Sequence, residues 1–426
     1  MNRKSLLLVL IVCGLLLSAL VTRNGRLLSL ALPFLAYLTM GLIQTPGQIA
    51  LTARRAIAKT NASAYEPLET QITVENTGEA LVNLSLTDAP NPALIIHAGE
   101  THQSLSLPAG ESTTLQYTFS AARGAHTWNT LHTCARDPLG LFELAVDLPA
   151  PGKVLVRPAA MQLQPRTLKT RFTLHTAGPI SARLAGAGTD FWGIREYRRG
   201  DSLRRLNWRL AARHPHQRFT NEYEREEIGD FGLILDARKL TNAHAMESAL
   251  FERAVSATAA LAEHFLNQGN RVSLLVFGES IQTVFPGYGK PQRYTLQHTL
   301  AHARPGSNLP FSKFEFFPTR LFPSRSQLIV LSTIDRRDLD TYARLLASGY
   351  DVLLISPNPV DFITRQSPPD TANALAGRAA RVERALQLNR LQKLGVQVID
   401  WPVDHPLDAL INQAARDRFQ RRNLKI

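Results

Sequence analysis

The sequence predicts three structural classes in one chain: an α-helical membrane hairpin, an all-β sandwich and an α/β domain. Three observations predict this order. The chain begins with two long uncharged apolar runs, continues with short segments of period-2 apolar alternation, and ends with apolar strands that alternate with helical patterns. A length of 426 residues is enough for about three domains at ~150 residues each.

Composition narrows the class of protein. Hydrophobic residues make up 44% and charged residues 19%, a balance that argues against extensive disorder. Lys+Arg 48 against Asp+Glu 35 gives a net charge of +13, which indicates an acidic partner, either nucleic acid or an anionic membrane surface. The two cysteines, Cys13 and Cys134, exclude a disulfide framework and a four-cysteine zinc site, and they fit a reducing compartment.

Residues 1–46 predict a transmembrane hairpin. Its helices are expected at about residues 5–22 and 27–43, and the polar turn Arg23-Asn24-Gly25-Arg26 separates them. Each run would span roughly 26 Å, close to the ~30 Å hydrocarbon core of a bilayer. A cleaved signal peptide is the alternative, but no small-x-small cleavage site follows the first run, and a second run begins at once.

The charges beside the two apolar runs predict the topology. Both ends of a hairpin lie on one side of the membrane, and two arginines, Arg23 and Arg26, lie in the turn on the other side. The side with both ends carries five basic residues: Arg3, Lys4, Arg54, Arg55 and Lys59. The positive-inside rule therefore predicts a two-pass protein of the inner cell membrane, with the bulk of the chain in the cytoplasm and the lipid bilayer as a partner.

Residues 60–158 predict an all-β sandwich of immunoglobulin-like type. The strand pattern Gln71–Glu75 ends at the turn residues 76–78, and Thr114–Ser120 places its apolar residues on one face. Turn residues recur about every 8–12 positions, as in two-sheet sandwiches. We find no catalytic motif in this region, which we interpret as a spacer or docking module.

Residues 229–426 predict an α/β, Rossmann-like domain with a mostly parallel sheet covered on both faces. Strand Phe231–Asp236 ends in an acid, and the helix after it is expected to stop near Gly269. Three more strand–helix alternations and a last strand and helix follow: strands at 272–277, 327–332, 352–356 and 396–399, and helices at 294–303, 338–347, 371–394 and from 406. Ligands of such sheets bind beyond the carboxyl ends of strands, which directs attention to Asp236 and to Ser332–Asp335.

Residues 159–228 form a basic connector between the two domains. Eight arginines fall between Arg195 and Arg218, and Trp192, Tyr197 and Trp208 are interleaved with them. From Phe191 the connector reads F-x-G-x-R-E-Y-x-x-G-D-x-x-R-x-x-N-W-x-x-x-A-R. This run resembles the signature of the bacterial domain-of-unknown-function family 58. The matching positions are Arg195, Glu196, Tyr197, Gly200, Asp201, Arg204, Asn207, Trp208 and Arg213.

The resemblance extends over nearly the whole chain and includes Arg136-Asp137-Pro138-Leu139-Gly140-Leu141-Phe142. It implies two membrane helices, a β-rich domain, the signature connector and a domain similar to von Willebrand factor type A. It also implies partners, because members are often encoded with MoxR-type AAA+ ATPases and with transglutaminase-like membrane proteins. Members are thought to act as accessory or chaperone-like factors, and the family as a class has no established enzymatic activity.

A metal site is one interpretation of Asp236. Type A domains that hold Mg²⁺ follow the first strand with Asp-x-Ser-x-Ser, whereas this chain reads Asp236-Ala237-Arg238-Lys239-Leu240. Both serines are missing, although Ser307 and Asp335 could supply distant oxygens. We therefore expect a degenerate metal-site position, with Asp236 satisfied by hydrogen bonds or by Arg238, and no metal or other cofactor.

The connector admits two further interpretations. Its arginines could be held by acids in an ion-pair network that clamps it to the α/β domain, or they could face an anionic partner protein or lipid head group. Nucleic acid is not expected, because Glu196, Asp201 and four later glutamates accompany the arginines. The C-terminal basic tail is open between a solvated helix end and a lipid contact. Its members are Arg416, Arg418, Arg421, Arg422 and Lys425.

These observations predict a non-catalytic protein. The chain has no G-x-S-x-G elbow, Walker loop or G-x-G-x-x-G motif, and His214 and His216 form only an isolated H-x-H pair. We expect a membrane-anchored binding or assembly factor that works with a MoxR-type ATPase in maturation of an envelope or metal-containing complex. A metal-dependent adhesion module or an uncharacterised enzyme of the cell envelope is the alternative.

Overall fold

The computed structural model describes most of the chain. The described residues are 3–44, 48–159, 161, 163, 180–214, 216–227, 229–239, 241–242, 249–278, 280–306, 321–324, 326–366, 370–402 and 404–414, with backbone alone at 3, 180–190 and 224–227. The chain divides into two compact units, residues 1–157 and 158–426. The basic tail and Ser307, both singled out in the sequence, lie outside the described residues.

Two helices begin the first unit, α1 (Arg3–Thr22) and α2 (Gly25–Gln44). Each has 20 residues, and both are long and apolar enough to cross a membrane. The turn between them contains Arg23 with a positive φ of 50°, as a tight reversal requires. The helical hairpin is therefore present where the two apolar runs predicted it.

The rest of the first unit is a two-sheet sandwich. Its strands are β1 (Leu51–Ile57), β2 (Asn61–Ser63), β3 (Leu68–Asn76), β4 (Leu81–Thr87), β5 (Leu94–Gly99), β6 (His102–Leu107), β7 (Ser112–Ala121), β8 (Gly124–Arg136) and β9 (Glu143–Arg157). One sheet has the order β1-β3-β7-β5 and the other β2-β9-β8-β4-β6. Leu115, Tyr117 and Phe119 lie on one face of β7, as predicted, and they join a core to which both sheets contribute. Strand β1 lies before residue 60, where we expected the sandwich to begin.

A buried ion pair joins the two sheets. Arg55 of β1 donates to both carboxylate oxygens of Asp88, at 2.6 and 2.9 Å, and its Nε donates to the carbonyl of Ala150 in β9 at 3.1 Å. Tyr117 donates its hydroxyl to the same carboxylate at 2.7 Å; burial, and then Asp88, raises the pKa of Tyr117. The Arg55 and Asp88 side chains are 0% and 1% exposed.

The burial of Arg55 changes the surface of the folded unit without changing the charge count beside the apolar runs. Arg55 was counted among the basic residues beside the membrane hairpin, together with Arg54. Its side chain is enclosed by the sandwich and neutralised by Asp88, so it offers no charge to lipid in the folded protein. The neighbouring Arg54, in contrast, is exposed in the folded chain.

The segment Arg136–Phe142 is a tight loop beside α2. The fully buried Asp137 accepts backbone hydrogen bonds from Leu139 at 3.0 Å and Phe142 at 2.7 Å. Gly41 of α2 lies against it, since an added methyl group there would come within 3.0 Å of Leu141 Cδ1. The loop therefore packs against the end of α2.

The second unit contains a ribbon and an α/β sheet. The ribbon consists of β10 (Ile180–Glu196), α3 (Trp208–Ala211) and β11 (Phe219–Glu227). The elements that follow are β12 (Asp230–Asp236), α4 (Ala249–Asn267), β13 (Arg271–Phe277), β14 (Ile281–Gly287), α5 (Gly289–His302), β15 (Gln327–Leu331), α6 (Leu339–Ala347), β16 (Asp351–Pro357), α7 (Pro359–Gln366), α8 (Thr371–Leu394), β17 (Gln397–Trp401) and a helical segment at 407–414.

The sheet has the order β14-β13-β12-β15-β16-β17 and is parallel except for the edge strand β14. Its strands have buried residues on both faces, and two separate apolar cores lie against them, one with α4 and α5 and the other with α6 and α8. Helix α4 ends at Asn267, just before Gly269. Gly269 has a φ of 76°, a left-handed backbone conformation that glycine adopts without steric strain. The sequence patterns did not predict β14, α7 or the two strands of the ribbon.

We predict that the Arg55–Asp88 pair contributes strongly to the stability of the sandwich. Arg55→Met would leave the Asp88 carboxylate buried without its cation and should lower the free energy of unfolding by about 3–5 kcal/mol. Denaturant unfolding of the full chain in detergent measures this. Lys59→Met is the matched control, because Lys59 pairs with Glu66 on the surface and should cost less than about 1 kcal/mol. Equal losses in the two variants would contradict the prediction.

Candidate functional site

The connector is an antiparallel ribbon with a long excursion. Glu196 of β10 pairs with Phe219 of β11, and Arg195 pairs with Thr220. Residues 197–218 leave the ribbon between these strands, and the Tyr197 backbone N–H donates to the Arg218 carbonyl at 2.8 Å where the excursion closes. The predicted site residues therefore lie on one ribbon and its excursion.

Arg195 is the centre of the ionic contacts in the ribbon. Its Nη1 and Nη2 each donate to one carboxylate oxygen of Asp201 at 2.7 Å, and its Nε donates to Glu222 at 2.7 Å. Nη1 also donates to the Glu196 carbonyl at 2.9 Å. This bidentate geometry uses the planar fork of arginine, which lysine lacks. Both acids belong to the connector itself, so among the described residues this network holds the ribbon to its own excursion instead of clamping it to the sheet.

Asp201 is held by a turn as well as by Arg195. Its carboxylate accepts from the Arg198 backbone N–H at 2.8 Å, and Gly200 has a φ of 104°, which lets the chain reverse there. The hydrogen bonds from Arg195, and then from the Arg198 backbone, lower the pKa of Asp201 to about 2. Asp201 is therefore ionised throughout the physiological range, and it holds Arg195 charged by raising its pKa.

Asn207 fixes the second half of the excursion. Its Oδ1 caps α3 by accepting from the Leu210 backbone N–H at 3.0 Å, and its Nδ2 donates to Asn221 Oδ1 of β11 at 2.9 Å. The next residue, Trp208, is 68% exposed. Asn221 was not predicted from the sequence, because only the strand register brings it opposite the excursion.

Most of the other predicted residues of the connector face solvent. Tyr197 is half-buried, and Glu196, Arg204 and Arg213 are exposed. Large apolar side chains are exposed beside them: Phe191 61%, Trp192 43%, Ile194 44% and Leu203 63%. Arg205 is an exception, since its guanidinium lies over the Tyr223 ring at 5.5 Å. The connector thus holds Arg195 in ion pairs, while other arginines and several aromatic side chains are exposed on its surface.

A second cluster lies at the carboxyl end of β12. The Arg238 guanidinium lies between two carboxylates: it donates to Asp236 at 2.8 and 3.0 Å and to Asp338 at 2.6 and 2.9 Å. Ser332 also donates to Asp236 at 2.6 Å. The side chains of Arg238, Asp236 and Asp338 are 5%, 0% and 2% exposed. Burial alone would lower the pKa of Arg238, but the two carboxylates outweigh it and raise that pKa, so the guanidinium stays charged.

The residues at Asp236 do not fit a divalent cation. Arg238 already supplies the positive charge between the carboxylates, where Mg²⁺ would need oxygen ligands on several sides. The Asp335 carboxylate instead caps the turn at 336–338 by accepting from the Arg337 N–H at 2.9 Å. Within the described part of the chain, no three His, Cys, Asp or Glu side chains are grouped to hold a metal.

Arg384 of α8 fills the neighbouring part of the same sheet edge. It donates to Asp400 at 2.8 Å, to the carbonyls of Ser356 and Pro357 at 3.1 and 3.3 Å, and to the Thr333 carbonyl at 3.3 Å. These partners follow or end β15, β16 and β17. Arg238 and Arg384 together therefore satisfy the strand ends at which α/β sheets ordinarily bind ligands.

The pH dependence of stability should report the Asp201 contacts. Asp201→Asn removes the carboxylate that holds Arg195 and should lower the melting temperature of the full chain in detergent at pH 7. Because the pKa of Asp201 is about 2 when folded and ~3.9 when unfolded, its stabilising effect is complete above about pH 4 and is lost as pH falls toward 2. The difference between native chain and variant should shrink over that range. Glu100→Gln, at an exposed loop acid, should show no such trend; a constant difference for Asp201→Asn would contradict the assignment.

Removing the internal cation should destabilise the α/β unit. Arg238→Met leaves Asp236 and Asp338 buried without it, which should cost about 3–5 kcal/mol in denaturant unfolding. Arg337→Met is the control, because Arg337 is 63% exposed and pairs with Asp335 at the surface. Calorimetry of the native chain with Mn²⁺ should show no saturable binding below the millimolar range. A micromolar isotherm that Asp236→Ala abolishes would contradict the fit described above.

Comparison with solved structures yields partial likenesses of low similarity. The CARDB domain of the PF1109 protein from Pyrococcus furiosus is 16% identical over 26% of this chain and 91% of that one, with a TM-score of 0.19. A non-cellulosomal cohesin from Archaeoglobus fulgidus is 12% identical over 25% and 90%, with a TM-score of 0.18. The cupredoxin domain of amoB from Nitrosocaldus yellowstonii is 9% identical over 30% and 99%, with a TM-score of 0.19. Scores this low carry no argument about fold or function.

Sequence comparison is more informative for the connector. No curated protein matches the chain. The family described as protein of unknown function DUF58 matches residues 193–360, a range that begins within the signature and extends through β16. The resemblance that the connector predicted is thereby confirmed as a match to the DUF58 family model across residues 193–360.

Proposed function

We propose that this protein is a membrane-anchored, non-catalytic binding and assembly factor whose connector docks an acidic partner protein. The observation that carries the proposal is the exposed surface of the connector. There Phe191, Trp192 and Trp208 are exposed together with arginines whose side chains do not pair with Asp201 or Glu222. Tryptophan and arginine dominate the binding energy of protein interfaces, and six exposed arginines favour a partner of negative charge. These are Arg198, Arg199, Arg204, Arg209, Arg213 and Arg218.

The sheet edge supports a non-catalytic role. In α/β domains that bind small ligands, the carboxyl ends of the strands are left open, whereas here Arg238 and Arg384 occupy them with hydrogen bonds to their neighbours. An Arg–carboxylate cluster that is satisfied internally has no group poised to act on a substrate. We accordingly take the α/β unit as a von Willebrand factor A-like scaffold without its metal, and the sandwich as an immunoglobulin-like spacer.

The leading candidate for the partner is a MoxR-type AAA+ ATPase. This candidate comes from the family resemblance, and the client would be an envelope or metal-containing complex; a transglutaminase-like membrane protein is a further candidate for the assembly. The bulk of the chain would lie in the cytoplasm under an inner-membrane hairpin. The positive-inside count supports this side, because Arg3, Lys4, Arg54, Arg55 and Lys59 lie there against Arg23 and Arg26 in the turn.

Co-purification tests the connector surface. The full chain, extracted in detergent from cells that also produce the MoxR-type ATPase of the same genome, should retain the ATPase. Trp208→Ser and Arg204→Glu should each reduce retention tenfold or more, with the melting temperature unchanged, because both side chains are exposed and neither belongs to the Arg195 network.

Two comparisons keep this test specific. Tyr288→Ser changes an aromatic residue that is 72% exposed on another part of the same unit, and it should leave retention unchanged. Arg195→Lys should instead lower the melting temperature, since it loses the bidentate contact with Asp201. Full retention by Trp208→Ser and Arg204→Glu would refute the docking surface, and salt-sensitive binding of the chain to oligonucleotides would replace it with nucleic-acid binding.

A further inference from the structure

Helix α8 exposes an apolar stripe along its length. Five apolar residues recur at alternating spacings of three and four, which is the heptad pattern of a helix that packs against another helix. They are Ala372, Leu375, Ala379, Val382 and Leu386. Leu375, Val382 and Leu386 are 69%, 62% and 55% exposed, so the stripe is not covered by the described part of the chain.

This stripe is opposite the face by which α8 is held. The buried residues of the helix are Gly377, Arg384, Leu388 and Leu391. With 3.6 residues per turn, the centres of the two sets lie about 180° apart around the helix axis. Because Arg384 is fixed by Asp400 and by strand-end carbonyls, the rotation of α8 is set and the stripe must face outward.

The charges around the stripe are mostly positive. Within α8 the only acid is Glu383, and it pairs with Arg336. Four basic residues of the helix are exposed and form no salt bridge with the described residues: Arg378, Arg381, Arg390 and Lys393. Around the helix axis, Arg378, Arg390 and Lys393 lie within about 80° of the centre of the stripe, whereas Arg381 lies about 140° from it. A helix that docks along the stripe would therefore meet three basic residues.

We propose that α8 is a docking surface for an amphipathic helix of a partner protein whose polar flanks are rich in Asp and Glu. The alternating Leu, Ala and Val side chains match the narrow seam of a helix pair, and the alanines allow a neighbouring backbone to come close. Acidic flanks would neutralise Arg378, Arg390 and Lys393.

Charge argues against two other occupants of the stripe. A second copy of α8 would bring three like charges against three. The chain's own residues 415–426 carry five basic residues and the single acid Asp417, so they are also a poor complement.

An anionic membrane is a weaker match than a helix. Helices that lie in the lipid interface bury large apolar and aromatic side chains, whereas this stripe has no aromatic residue and two of its five members are alanine. The inference goes beyond the docking role of the connector, because it concerns a different element and does not require the ATPase to be the partner.

Photo-crosslinking of the full chain in its native membrane tests the surface. We would replace Ala379, within the stripe, by the photoreactive residue p-benzoylphenylalanine, and place the same residue at Ala385 as a control. Ala385 is exposed on the same helix and lies about 120° from Ala379 around the axis. Crosslinking to a protein should be at least tenfold stronger from position 379. Mass spectrometry should place the crosslink in a segment with apolar heptad spacing and an excess of Asp and Glu.

A charge variant tests complementarity in the same experiment. Arg378→Glu combined with Arg390→Glu should reduce the crosslink from position 379 tenfold or more without changing the melting temperature, because both side chains are exposed. The proposal is overturned by equal yields from positions 379 and 385, by crosslinks only to lipid or to a second copy, by a mapped segment without acidic excess, or by no crosslink from position 379.

Discussion

The arrangement of the α/β unit depends on a positive charge held between two buried carboxylates. Asp236 and Asp338 are brought together because one ends β12 and the other follows β15, and parallel neighbours end at the same edge of the sheet. Two carboxylates so close would repel each other in a low-dielectric interior, and the Arg238 guanidinium between them removes that penalty. The loops that follow these strands are thereby tied to one another by side chains of the chain itself.

The same physical solution appears in other parts of the molecule. Arg384 ties the ends of β15, β16 and β17 through carbonyls and Asp400, and Arg55 joins the two sheets of the sandwich through Asp88. In each case a planar guanidinium makes several hydrogen bonds at once, which lets one side chain hold several segments. Part of the basic excess of the chain is thus structural, and it is unavailable to any partner.

The remaining basic residues are concentrated on surfaces that also expose apolar side chains. On the connector these are arginines with tryptophan and phenylalanine, and on α8 they are arginines and a lysine beside leucine and valine. Exposed apolar residues next to uncompensated charge of one sign are typical of interaction surfaces, because folding by itself leaves both unsatisfied. A closed ligand edge combined with such surfaces is the pattern expected of a scaffold that binds other proteins.

The sequence by itself determined the helical hairpin, the strand–helix alternation after residue 229 and the resemblance to the DUF58 family, because each depends on local periodicity or on a run of neighbouring residues. It also marked Asp236 as a position without its usual serines. Only the tertiary structure decided that Arg238 occupies the space beside Asp236, that Arg55 is buried against Asp88, and that Arg195 pairs with Asp201 and Glu222. These outcomes depend on which residues strand register and loop closure bring together. The sequence alone does not show whether the partner of an arginine is solvent, an acid a hundred residues away or another molecule.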